Sequence, residues 1–267
     1  MKRLKAGLVS ALAAAILLAS APASAGLISG RVYQPVSLAD TEVEWSGEAP
    51  AALSVTTEDG LTLEGAHFPR KGEDAPVMLV FHGNSYNHLV MARRVEPLAA
   101  QGAGVIAASY RGYGDNPGTP SEAGLYRDAE SWVAKTRELY PDARIFVFGF
   151  SLGGAVAIEM ATRHDFDGVV TLGAFTRLKD AVPWIARPFV KEKYDNLAKV
   201  ALINEPLFLL HGSADETIDA ESAEKLEQAG GANVTRINIV GGDHWVPLDD
   251  LAQRLWQTID PQQDRRE

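Results

Sequence analysis

The stretch Arg144-Ile145-Phe146-Val147-Phe148-Gly149-Phe150-Ser151-Leu152-Gly153-Gly154 runs on into Ala155-Val156-Ala157-Ile158-Glu159-Met160, and it decides the fold. An apolar and aromatic run ends at Gly149, a serine follows in the order Gly-x-Ser-x-Gly, and the residues after it have helical character. That order reads as a strand, a sharp turn and a helix, the shape of a nucleophile elbow. Such a turn forces unusual backbone angles on its serine, and bulky residues two places to either side would clash, which glycine avoids. The geometry lifts the Ser151 hydroxyl above the strand end. It also sets the N–H of Leu152 at a helix N-terminus, where negative charge is favoured. Ser151 is therefore the candidate nucleophile.

Outward from the elbow, strands and helices alternate. Leu53 to Thr57 and Leu61 to Phe68 alternate apolar and polar residues around Asp59-Gly60, a hairpin-type turn signal. Val77 to Phe81 is a continuous apolar run, as expected of a parallel strand covered on both faces. A helix is expected from about Asn87 to Ala100, then a buried strand from Gly104 to Tyr110. Thr119-Pro120-Ser121-Glu122 predicts a capping box with Thr119 as the cap, opening a helix to about Leu139. Further strands are expected at Gly168–Leu172, Pro206–Leu210 and Val234–Val240, with helices near Asp219–Ala229 and Pro247–Ile259. Residues 26–50 show little periodicity and read as a loosely docked lead-in. The pattern predicts an α/β domain with a doubly wound, mostly parallel sheet and a leading antiparallel hairpin. Residues 175–202, rich in Trp, Pro and aromatic residues, break the rhythm and read as a short cap inserted over the strand ends. Val182, Trp184, Ile185, Phe189 and Val190 of that cap have two readings, the lining of an acyl pocket or simple packing onto the core.

A serine hydroxyl needs a base to take its proton, and the base needs an orienting carboxylate. In an open α/β sheet such groups gather beyond the carboxyl ends of the strands. After the strand 206–210 comes His211-Gly212-Ser213-Ala214-Asp215, and after the last strand Gly241-Gly242-Asp243-His244. Asp215 is the candidate acid and His244 the candidate base, in the chain order Ser, Asp, His expected of this arrangement. Asp219 is the alternative acid, and Asp243 reads as a turn former. His67, His88 and His164 fit surface or strand roles, and His211 fits packing beneath the Asp215 loop. An oxyanion formed on acyl attack needs two donors. Leu152 offers one N–H, and Asn84, in the loop His82-Gly83-Asn84-Ser85-Tyr86, is placed to offer the other. His82 reads as a brace for that loop.

The chain opens with Met1-Lys2-Arg3-Leu4-Lys5, an apolar run from Ala6 to Ala19 and Ala21-Pro22-Ala23-Ser24-Ala25. A basic start, a short apolar middle and an Ala-x-Ala end predict a secretory signal peptide over residues 1–25, hence an exported, periplasmic or secreted protein. The run is shorter than the roughly 20 residues a spanning helix needs, so no stable membrane insertion is expected after cleavage. Cleavage removes three of the 25 basic residues and none of the 35 acidic ones, leaving a formal charge of −13 on residues 26–267. So acidic a chain is a poor partner for nucleic acid, whose phosphates demand clustered Lys and Arg. The chain has no cysteine, which excludes disulfides, thiol catalysis and thiolate metal sites together.

His82-Gly83-Asn84, Tyr110-Arg111-Gly112-Tyr113-Gly114, Gly149-Phe150-Ser151-Leu152-Gly153-Gly154, His211-Gly212-Ser213-Ala214-Asp215 and Gly242-Asp243-His244 occur in that order. Over about residues 53–260 the chain thus resembles the α/β-hydrolase superfamily, within it the abhydrolase-domain serine hydrolases. The resemblance implies Ser151 as nucleophile, Asp215 as acid, His244 as base and the N–H groups of Asn84 and Leu152 as oxyanion hole. It implies no cofactor and no metal. It transfers no substrate, because the fold hosts many chemistries. The expected activity is hydrolysis of a small-molecule ester or thioester through an acyl-enzyme. A peptidase of the same fold is the rival, and a binding protein on a hydrolase scaffold the alternative of a different class.

Overall fold

A computed structural model describes residues 32–182 and 187–260, with the backbone alone for Phe189. The expected signal peptide and the cap residues Trp184 and Ile185 lie outside the described residues. The elements, in chain order, are strands β1 (Gln34–Pro35), β2 (Ala51–Thr56), β3 (Thr62–Phe68), β4 (Val77–Phe81) and β5 (Ser85–Tyr86), then helix α1 (His88–Ala100). Strand β6 (Gly104–Ala108), helix α2 (Glu122–Leu139), β7 (Ile145–Phe150), α3 (Leu152–Ala161) and β8 (Gly168–Leu172) follow. A short helix α4 (Asn196–Lys199), β9 (Leu207–Gly212), α5 (Glu221–Gly230), β10 (Val234–Ile239) and α6 (Ala252–Ile259) complete the set.

Eight strands form one sheet in the order β10-β9-β8-β7-β4-β6-β3-β2. The hairpin β2–β3 is antiparallel and joins β6 antiparallel, while all pairs from β6 through β4, β7, β8 and β9 to β10 are parallel. All five residues of β4 are buried, and successive ones feed opposite layers. Val77, Leu79 and Phe81 join the core beneath α2, α3 and α5, whereas Met78 and Val80 join the one beneath α1 and α6. This is the doubly wound α/β-hydrolase architecture. From β4 the chain steps out to β6 and then returns past β4 to β7, so the loops after β4 and β7 part company at neighbouring strand ends. In open α/β sheets, such a switch point is where ligands bind.

Three local expectations change. The lead-in is pinned rather than loose: β1 pairs in parallel with β5, and Val32 and Tyr33 are buried. The Glu96 carboxylate also accepts from the N–H groups of Ser46 and Gly47. These ties are long-range and leave no periodicity to read. The N-cap of α2 is Ser121, not Thr119; its Oγ accepts from the Gly124 N–H at 3.1 Å. Glu122 is thereby freed from capping, and its carboxylate accepts from the N–H groups of Lys193 and Tyr194 at 2.6 and 2.9 Å. That contact fastens the second half of the β8–β9 insertion. Lys199 of α4 adds an ion pair to Glu159 of α3 at 2.6 Å. Helix α6 begins at Ala252, five residues later than the sequence pattern places it.

Candidate active site

Ser151 follows β7 at φ 51° and ψ −115°, a left-handed conformation that a non-glycine residue adopts only under constraint. The constraint is visible in its neighbours. A Cβ on Gly149 would overlap the Gly153 carbonyl, and one on Gly153 would overlap the carbonyls of Phe81 and His82. The elbow thus exists because α3 starts almost in contact with the end of β4. Ser151 heads α3, but its side chain makes no capping hydrogen bond, so the hydroxyl is not spent on its own helix. Its N–H donates to Leu172 O at 2.9 Å, tying the elbow to the end of β8.

Asp215 and His244 meet from separate loops. His244 Nδ1 lies 2.7 Å from Asp215 Oδ2, and the other carboxylate oxygen accepts from the N–H groups of Thr217 and Ile218 at 2.9 and 2.8 Å. His211 Nε2 faces the Ile218 carbonyl at 2.8 Å and Asp215 Oδ2 at 3.3 Å, so it carries the proton on that nitrogen. Burial alone would raise the Asp215 pKa. The hydrogen bonds from His211, His244 and the Ile218 N–H outweigh it and hold the carboxyl well below the ordinary range. Asp215 is therefore a fixed negative charge across neutral pH. The carboxylate of Asp219, the alternative acid, accepts from the Glu221 N–H at the start of α5. Asp243 accepts from the Trp245 N–H at 2.8 Å and shapes the turn that carries His244.

The loop after β4 closes over the same point. A Cβ on Gly83 would stand 3.5 Å from the Ser151 Cβ, so the Gly83–Asn84 backbone passes directly beside the serine. The Asn84 carbonyl is held by the Gln34 N–H and the Tyr113 hydroxyl, both at 2.8 Å, which fixes the plane of the peptide that follows. His82 braces this loop. Its Nδ1 is 2.8 Å from the Gly83 carbonyl, its ring packs 4.4 Å from Tyr110 and 4.9 Å from Tyr113, and burial pushes its pKa down to about 3. Among the described residues, no group of acidic or histidine side chains could hold a metal ion.

A family model described as serine aminopeptidase, S33, matches residues 72–201. An uncharacterized protein of Mycobacterium tuberculosis is 32% identical over 240 residues, covering 80% of this chain and 85% of its own length. The human alpha/beta hydrolase domain-containing protein 17B is 28% identical over 157 residues, 57% of this chain and 54% of its own. The chain belongs to the α/β-hydrolase superfamily. The solved esterase of Pyrococcus furiosus superposes with a TM-score of 0.69 at 21% identity, covering 88% of this chain and 98% of its own, a likeness of fold.

Three features of this hydrolase were not legible in its motifs. Gly173, just past β8, sits at φ +67°, and a Cβ there would lie 2.8 Å from His244 Cε1 and 3.6 Å from Asp215 Oδ2. It follows Leu172, which holds the Ser151 N–H, so one dipeptide touches the elbow on one side and the imidazole on the other. The only sequence signal is a glycine at the end of a buried strand. The Tyr-Arg-Gly-Tyr-Gly loop is a scaffold: Arg111 bonds Asp128 and Asp59, while Tyr110 and Tyr113 donate to the carbonyls of His82 and Asn84. Arg94, in α1, is buried with its guanidinium 3.9 Å from the Phe150 ring centroid and 4.0 Å from that of Trp245. It donates to Val246 O at 3.0 Å, and burial lowers its pKa to about 10, with Asp243 opposing. It bridges the residue before Ser151 and the two residues after His244.

Proposed function

We propose that this hydrolase is serine-dependent and cleaves carboxylic ester or thioester bonds through an acyl-enzyme. The observation that carries the reading is the strained, uncapped Ser151 beside the Asp215–His244 pair, the two joined through Leu172 and Gly173. In this reading Ser151 Oγ attacks the acyl carbon as His244 Nε2 takes its proton. Asp215 holds the proton on Nδ1 and stabilises the imidazolium. The oxyanion is received by the N–H groups of Leu152, first residue of α3, and Asn84, each donor of this kind contributing about 10²–10³ in turnover. His244 then protonates the leaving group, and water, activated by the same imidazole, releases the acid.

The description of the matching family model favours a second reading, a serine peptidase. Its leaving nitrogen must be protonated before it departs, a demand an aryl ester lacks. Export of the chain is part of the proposal and rests on residues 1–25. The test compares short aryl esters with aminoacyl anilides, alongside covalent labelling by an organophosphonate. Ester turnover with labelling at Ser151 is expected. Anilide turnover well above ester turnover would favour the peptidase. Absence of labelling, with esters untouched, would sink the serine mechanism.

A further inference from the structure

Among the described residues, five large hydrophobic side chains are exposed, and two of them, Tyr86 and Trp245, face each other with ring centroids 5.4 Å apart. Each adjoins the proposed machinery in sequence, Tyr86 two residues after Asn84 and Trp245 one after His244. Both are held in place. Tyr86 sits at φ 70°, a backbone angle disfavoured for a bulky residue, and β1 fixes it there through the Val36 N–H to its carbonyl and the pairing of Pro35 with Tyr86. Trp245 is backed by the Arg94 guanidinium and by the edge of Phe150, 5.0 Å away at 83°. Apolar rings held rigid and wet beside a reaction centre are the kind of surface that meets substrate.

We propose that Tyr86 and Trp245 form the leaving-group subsite of this enzyme and that it accepts an uncharged aryl group; this rests on the serine-hydrolase reading. The side is fixed by chemistry. His244 must hand its proton to the departing oxygen or sulfur, so the leaving group lies against the base, and Trp245 is the next residue. The charge preference follows from Arg94. A cationic leaving group would meet π density already drawn toward a guanidinium, with a like charge behind the ring. An anionic one would gain no direct contact with the Arg94 guanidinium, which is buried behind the Trp245 ring. The cleft behind the rings, lined by Gly83, Ser85, Met91 and Phe150, holds about 10 Å³, roughly room for one water. The substrate group therefore lies across the exposed ring surfaces rather than entering the cleft.

The experiment keeps the acyl group constant. With 2-naphthyl acetate, Trp245→Ala and Tyr86→Ala should each lower kcat/KM about tenfold or more, against less than about threefold with methyl acetate. A change of 1.4 kcal/mol corresponds to the tenfold loss. Trp245→Phe, which keeps a ring, should recover most of the preference. Breakdown of the acetyl-enzyme, followed after a burst of naphthol, should be unchanged, since every acetate passes through it. Equal losses on both esters would make the rings merely structural. A loss that tracks acyl length, or turnover of an acetate ester of choline matching that of naphthyl acetate, would also overturn the proposal. Organophosphonate labelling of the parent separates the outcomes: without it the serine reading fails and this one with it, whereas labelling with unaltered selectivity defeats only the subsite.

Discussion

At the scale of single residues, Asp215 Oδ2 lies 2.7 Å from His244 Nδ1, while the Asp219 carboxylate accepts from the Glu221 N–H at the start of α5. Ser151, Asp215 and His244 are chemical types at recognisable places after strands, whereas Gly173 matters only for the space it leaves beside the imidazole. That difference gives two expectations. Asp215→Asn should cost on the order of 10⁴ in turnover, because an amide cannot hold His244 in the needed tautomer. Asp219→Asn, which alters the bond to the Glu221 N–H and removes a charge felt at His211 but leaves the His244 ring its carboxylate partner, should stay within about threefold of the parent. Steady-state kinetics on one aryl ester decide between them, and an Asp219 variant weaker than the Asp215 variant would reverse the assignment. Gly173→Ala places a methyl 2.8 Å from His244 Cε1 and asks a non-glycine residue to hold φ +67°. Displacing a catalytic group by about 1 Å can cost roughly 10²-fold, so turnover and organophosphonate labelling should both fall about a hundredfold. The strain should lower stability by about 1–2 kcal/mol. A Gly173→Ala enzyme of parental rate would mean the imidazole is free to move aside.

At the scale of elements, the central strands were legible because burial on both faces writes itself as unbroken apolar runs, as in Val77–Phe81 and Leu207–Leu210. Boundaries set by long-range contacts were not. Ser121 rather than Thr119 caps α2, and the Glu122 carboxylate instead takes the N–H groups of Lys193 and Tyr194, 71 and 72 residues away in sequence. Likewise β1 exists only because β5 lies beside it, and a two-residue strand carries no period. Inside the elbow the motif spacing did separate two neighbours. Gly-x-Ser-x-Gly marks Gly153 and not Gly154, and a Cβ on Gly153 overlaps the carbonyls of Phe81 and His82 while one on Gly154 meets the Ala174 methyl at 3.3 Å. Gly153→Ala should therefore break the contact between α3 and β4, with loss of folded protein or of all labelling. Gly154→Ala trades a small crowding cost against a helix-propensity gain of about 1 kcal/mol, so its midpoint of urea unfolding should shift little. Parallel damage in the two variants, read by urea unfolding and labelling together, would refute this account of the elbow.

At the scale of the whole molecule, stability should depend on pH through histidines outside the proposed Ser151–Asp215–His244 set. The chain has no cysteine, so the fold rests on burial, and that burial has enclosed His82 and His88. Their pKa values are pushed down to about 3 and about 4 from an ordinary 6.5 by loss of solvent; His67 is shifted the same way. A base whose folded pKa is depressed is neutral in the fold and protonated when unfolded. Its contribution is therefore intact above pH 6.5 and declines as pH falls toward the folded value, by up to about 1.4 kcal/mol per pH unit for each group. Asp215 has the same sign in a lower window: its depressed carboxyl contributes fully above its unfolded value of 3.8 and is lost as pH falls below it. His211, raised by its bond to Asp215 against the pull of burial, contributes below 6.5 and fades as pH climbs through its folded value. Between pH 6.5 and 4 His82 and His88 thus act together, and they remove on the order of 4 kcal/mol by pH 5, a large part of the about 5–15 kcal/mol a domain holds. Urea unfolding at pH 7 and pH 5 should show that loss. His88→Leu should remove one proton from the linkage and about halve the slope. A variant that loses stability in parallel with the parent would mean that His88 is not held neutral, and that the acid sensitivity arises elsewhere.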